Sequence, residues 1–157
     1  MKKETSILLN TKMNKADIKN KISDLFIVRE NDGSYNLFGR YIIENNNGEF
    51  LLNERGENQQ YRFYFLKNAV AWCVLNNAKK LKSVRRIHEL DNHLVSLDAS
   101  IENYNRLLRK NNENAIVYVA KLKEEKLKKR RVLEEINEYT LLSKHIQRTK
   151  YKQNQDL

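Results

Sequence analysis

Residues 85–110, RRIHELDNHLVSLDASIENYNRLLRK, decide the architecture. Ile87, Leu90, Leu94, Leu97, Ile101, Tyr104 and Leu108 follow one another at alternating spacings of three and four, an a/d seam of the coiled-coil type. KNNENA (110–115) then interrupts with polar, turn-forming residues. A second helix is predicted from about Ala115 to Tyr151, with Ile116, Val119, Leu122, Val132, Leu133, Ile136, Tyr139 and Ile146 as its stripe. Its middle, KEEKLKKRR (123–131), offers Leu127 alone. A short polar loop between two long helices implies an antiparallel hairpin with arms of roughly 40 and 50 Å. With the turn near residue 112, residues 123–131 face 93–101, bringing Asp98 and Glu102 alongside Lys123, Lys126 and Arg130. Residues 79–86 come near Glu138.

Working back toward the N-terminus, YFLKNAVAWCVLNN (64–77) is apolar nearly all round a helix, the mark of a buried element. It places Phe65, Val70, Trp72 and Cys73 at a junction between the hairpin and something else. That something is a small antiparallel sheet. LFIVR (25–29), YNLFGRYII (35–43) and EFLL (49–52) read as three strands separated by Asn31-Asp32-Gly33-Ser34 and Asn45-Asn46-Asn47-Gly48. ERGENQQ reads as the closing loop. Residues 14–25 read as a short helix capped by Asn14, and the first dozen residues as frayed.

Glycine and charge divide the chain at nearly one place. Gly33, Gly39, Gly48 and Gly56 are the only glycines, proline is absent, and long helices follow from the lack of breakers after residue 56. Residues 1–60 hold nine Lys/Arg and nine Asp/Glu, whereas 61–157 hold 21 and 11, so the net charge of +10 belongs to the helical part. The composition excludes collagen-like and proline-rich classes. One cysteine excludes a disulfide scaffold or a Cys-rich zinc module. The longest apolar run, Ala69 to Leu75, is far short of a bilayer span. The start MKKETSILLNTK lacks a cleavage signal, and the expectation is a soluble, intracellular protein with no membrane partner.

No catalytic or metal constellation is expected. In HELDNH (88–93) the histidines are five apart and diverge by roughly 140° on a helix, so they cannot chelate one ion from one face. Asp91 and Asp98 lie roughly 10 Å apart along the axis, too far for a cooperating acid/base pair. Cys73 sits in the most apolar stretch and reads as a buried thiol; Trp72 reads as core rather than as a stacking platform. No cofactor is implied. The basic cluster KKLKSVRR (79–86), with Lys79, Lys80, Lys82, Arg85 and Arg86 and no acid, is the candidate phosphate-contacting site. No base-reading or aromatic-stacking array accompanies it.

Residues 63–75, 85–110 and 116–147, together with YNLFGRYII, resemble small uncharacterised proteins of marine contractile-tailed phages, of cyanophage type. The resemblance covers roughly residues 35–150 and implies no activity, cofactor or site. The richness in Asn (21) and Lys (19) agrees with an AT-rich coding sequence.

The sequence thus predicts an α+β protein of one domain: an N-terminal segment (1–24), antiparallel strands (25–60), and a buried helix with a basic helical hairpin (61–157). The expected function is a non-enzymatic phage structural or protein-interaction module in the host cytoplasm or the virion. The complete seam faces a partner helix with a charged middle, which predicts self-association, or binding of another phage or host protein, around Leu94, Leu97 and Ile101. The alternatives are a basic, sequence-independent nucleic-acid-binding accessory protein and a host-directed inhibitor acting by surface mimicry.

Overall fold

The structure, a computed structural model, describes residues 4–5, 27–110 and 113–155, with side chains over 29–110 and 113–149. Six strands, β1 (Glu4–Thr5), β2 (Ile27–Arg29), β3 (Tyr35–Leu37), β4 (Tyr41–Asn46), β5 (Glu49–Glu54) and β6 (Gln60–Phe63), pair antiparallel in chain order. Three helices follow: α1 (Leu66–Asn77), α2 (Leu81–Lys110) and α3 (Ala115–Gln155). The class is α+β, as the sequence predicts. The expected helix over 14–25 lies outside the described residues.

Tight turns explain the sheet. At Asn47-Gly48 both φ angles are positive, +53° and +87°, the geometry for which Asn-Gly is suited. The run YNLFGRYII is not one strand. Phe38 and Gly39 take φ of +59° and +66°, and the Arg40 N–H donates to the Leu37 carbonyl at 3.0 Å, folding the run into the β3–β4 hairpin. The sheet also continues past residue 60, because QYRF pairs with β5, setting Tyr61 opposite Leu52 and Phe63 opposite Phe50. The buried helix therefore starts at Leu66 rather than Tyr64.

Alternation gives the sheet one covered face. Leu37, Tyr41, Ile43, Leu52 and Phe63 are fully buried, while Ile42 and Glu44 point outward. Helix α1 lies on the covered face. Trp72 packs edge-on against Tyr41 at 6.0 Å between centroids and tilted against Tyr61 at 4.7 Å. The Asn76 side-chain amide donates to the Tyr41 hydroxyl at 2.8 Å, and burial pushes that hydroxyl up to about 12. Phe65 departs from its expected place in the junction. It is the N-cap residue, in extended conformation, and its ring stays exposed.

Neither end of α1 is capped in the ordinary way. No side chain of its own caps the N-terminus. Asp91, fully buried on α2, does so from a distance: its carboxylate accepts the backbone N–H groups of Tyr64 (2.8 Å) and Phe65 (3.2 Å) and the side-chain amide of Asn68 (2.9 Å). At the other end, Lys79 N–H donates to Asn76 O and Lys80 N–H to Leu75 O, a Schellman closure with a lysine at the left-handed position, φ +60°.

Asp91→Asn is expected to destabilise the fold by about 1–3 kcal/mol near neutral pH, because one edge of the new amide must face an N–H donor. Burial raises the Asp91 carboxyl above its usual 3.8. Between that value and the raised one the folded chain holds more protons than the unfolded chain, so this group makes stability fall as pH rises through the window. Urea unfolding of Asp91→Asn across acid pH should lack that component. Lys79→Gly should stabilise by about 0.5–1 kcal/mol, since glycine takes the left-handed conformation without the steric cost; a lowered thermal midpoint would contradict the closure.

Candidate functional site

The seam of α2 is closed inside the molecule. Ile87 and Leu90 are fully buried, Leu94 and Leu97 are 5% and 4% exposed, and Ile101, Tyr104 and Leu108 are half-buried. Helix α3 meets it through Ala115, Tyr118, Leu122, Glu125, Lys129, Val132, Ile136, Tyr139, Ser143 and Ile146, also at alternating three and four. Tyr104 lies 6.3 Å from Tyr118 between ring centroids.

Two expectations are corrected here. Leu94, Leu97 and Ile101 do not form an association surface, because α3 and α1 cover that side of α2. And Ile116, Val119 and Leu133 do not line the seam: they are 88%, 41% and 44% exposed. The phase was hidden because the inward positions at the middle of α3 are Glu125 and Lys129, so the apolar residues that stand out in the sequence belong to two different faces.

The basic cluster separates in the same manner. Lys79, Lys80, Lys82 and Arg85 are exposed and have no ion pair among the described residues. Arg86 is engaged: its Nε and a terminal nitrogen reach the two Glu135 oxygens at 2.5 and 2.9 Å, and it lies 3.4 Å from Glu89. That bidentate contact holds the Glu135 carboxyl below its usual range and keeps Arg86 protonated. The partner is thus Glu135, one turn before the expected Glu138. Across the middle of the hairpin Lys129 pairs with Asp98 at 2.7 Å, while within α3 Lys128 pairs with Glu125 at 3.1 Å. Lys123, Lys126 and Arg130, expected opposite Asp98 and Glu102, instead point outward without ion pairs among the described residues.

The outer side of α3 therefore combines free cations with apolar side chains. Leu127 and Leu141 are 46% and 55% exposed on the side away from the seam, Leu133 is 44% exposed beside the seam, and Lys123, Lys126 and Arg130 lie between the directions of Leu127 and Leu133. A shallow groove of about 380 Å³ runs beside Leu133, bordered by Lys126, Lys129, Arg130, Glu134 and Asn137.

Other chemistry-bearing residues are accounted for structurally. The Nε2 atom of His88 lies 3.1 Å from the Arg62 carbonyl, with the ring against Tyr61 and Phe63, while His93 is exposed. Among the described residues no group of three or more His, Cys, Asp or Glu could hold a metal ion. Burial drives the Cys73 thiol well above its usual value, which leaves little thiolate. A cleft of about 500 Å³ beside Trp72 and Tyr61 has acidic walls, but Glu54 is held by Arg40 and Glu89 by Arg86. No described helix is long and apolar enough to cross a membrane.

Sequence reasoning missed Asp91 as a tie and α3 as a two-faced helix. The only signal for the former was an acid adjoining a seam position, Leu90, together with a helix start at Leu66 that has no Ser, Thr, Asp or Asn cap. No family model, curated protein or solved structure matches the chain.

Leu97→Ala is expected to cost about 2–5 kcal/mol of fold stability, with a denaturation midpoint that does not change with protein concentration. A side chain serving an intermolecular seam would give a concentration-dependent midpoint instead.

Proposed function

We propose that this chain is a non-enzymatic structural or protein-interaction module, in the tailed-phage setting that its resemblance implies. The observation that carries the reading is the exposure of Leu127 and Leu141 on the side of α3 opposite its packed seam, with Leu133 exposed beside that seam. Closing the seam leaves the hairpin rigid and self-sufficient: α2, with 30 residues, and α3, with 41, extend about 45 and 60 Å. Such a rod presents its outer residues at fixed spacing without any folding on binding. The sheet and α1 anchor one end of it.

The test is the size of the chain's assembly in extracts of its native source. Elution well above 18.8 kDa, with a second polypeptide in fixed ratio and insensitive to nuclease, is the expected result. A free monomer, or a complex that dissolves on nuclease treatment, would overturn the module.

A second reading, sequence-independent nucleic-acid binding, is favoured by one observation: Lys79, Lys80, Lys82 and Arg85 are exposed and without ion pairs among the described residues. Four phosphate contacts give log K against log salt a slope of roughly −3 to −4 on duplex DNA. On this reading Arg85→Gln flattens the slope by about one unit, whereas Arg86→Gln, which loses Glu135, lowers stability and leaves the slope nearly unchanged. Fluorescence anisotropy with random duplex at ~50 and ~200 mM salt measures both, and absence of binding at the lower salt removes this reading.

A further inference from the structure

We propose that α3 from Thr140 onward is a releasable strap. It lies closed over α1 through a contact weak enough to open in the folded protein while the rest of the hairpin stays shut. Neither functional reading is needed for it.

Register locates the strap. Arg86 of α2 pairs with Glu135 of α3. Helix α2 begins at Leu81, five residues before Arg86, and in an antiparallel pair the matching position on α3 is five residues beyond Glu135, at Thr140. Past that point α3 has outrun α2 and packs on α1. The line of most deeply buried residues along α3 changes character at the same place. It runs Val132, Ile136, Thr140, Ser143 and Gln147, apolar alongside α2 and polar beyond it. Tyr139, Leu142 and Ile146 add apolar contact with the core, but each is only half-buried.

Among the described residues, none of the three polar side chains on this line bonds across to α1. The Thr140 hydroxyl donates to the Asn137 carbonyl at 3.1 Å and the Ser143 hydroxyl to the Thr140 carbonyl at 2.9 Å, both within α3. The Thr149 hydroxyl does the same to the His145 carbonyl at 3.0 Å. Such back-bonds loosen a helix slightly. The Gln147 side-chain amide is 3% exposed, and neither its nitrogen nor its oxygen has a hydrogen-bond partner. Closing the strap therefore strips this amide of water and returns nothing for it, a cost that opening removes. The contact of α1 with α2 is the opposite case, because there the Asp91 carboxylate accepts three hydrogen bonds. Helix α2 is bonded to α1, whereas α3 only rests on it. Closed, the strap holds Leu141 in line with Leu127; released, it frees Leu141 and uncovers the part of α1 beneath it.

Hydrogen exchange of the full chain under native conditions, read by mass spectrometry on short overlapping fragments, tests the strap. A segment this short is marginal as a helix once detached, so its amides exchange when it opens. Those of 140–149 are expected to exchange together, at least about tenfold faster than those of 122–136 and with little dependence on urea. Gln147→Leu, which replaces the unpaired amide by an apolar group of similar size, should slow exchange of 140–149 by about tenfold. Gln147→Met does the same with a more adaptable side chain, in case the branched leucine crowds its site. Equal protection of the two stretches overturns the proposal. So does exchange that rises residue by residue toward the end of α3, which is ordinary fraying of a helix terminus. Failure of both variants to slow the exchange overturns it as well, since the amide would then be satisfied, for instance by an internal water, and closure would carry no such cost.

Discussion

The carboxylate of Asp91 ties together the three parts of the molecule. It belongs to α2, yet its contacts are the N–H groups of Tyr64 and Phe65, where β6 becomes α1, and the amide of Asn68 within α1. Those backbone donors have no other partner once the turn is buried, and leaving them unpaired would be costly. Hydrogen bonds to an ionised acceptor are stronger than neutral ones, which offsets part of the desolvation of the carboxylate. The direction of the Asp91 shift says that desolvation still dominates. One side chain therefore fixes where the sheet ends, where α1 begins, and how both sit against the hairpin.

How much of this was legible depended on whether the deciding residue announces its conformation. Asn47-Gly48 does, and that hairpin was readable. Phe38-Gly39 does not, because aromatic and β-branched neighbours make residues 35–43 read as one strand and a phenylalanine in the left-handed region is uncommon. β6 escaped notice because Gln60 and Arg62 are exposed while only Phe63 is fully buried, so its alternation is short. The end of α1 rests on Lys79 where glycine is usual. The long helices were legible for the opposite reason: nothing after Gly56 breaks them.

The candidate site was legible in its parts and not in its phase. The free cations and Leu127 stood out, but Ile116, Val119 and Leu133 seemed to belong to the seam. A heptad with Glu125 and Lys129 at inward positions defeats periodicity analysis, since each polar residue removes a beat from the true register. The structure tolerates them for a physical reason. A lysine at an inward position whose ammonium reaches Asp98 on the facing helix lays its methylene stem across the interface. Leu94 and Leu97 remain almost wholly covered even though the facing segment is charged.

That arrangement changes what the excess charge is for. Were the cations of 121–131 consumed inside the hairpin, the +10 of the chain would be a matter of solvation. Instead the pairs across the hairpin are Arg86 with Glu135 and Lys129 with Asp98, Lys128 is engaged within α3 by Glu124 and Glu125, and Lys121, Lys123, Lys126, Arg130 and Arg131 face outward. Exposed Lys and Arg alone cost little on a surface, and a lone exposed leucine needs no explanation. Leu127 and Leu141, about half exposed on the side of α3 opposite so completely buried a seam, are what that packing leaves over. A hairpin that has already satisfied its own stripe holds those residues, and the outward cations, at fixed spacing along a packed pair of helices.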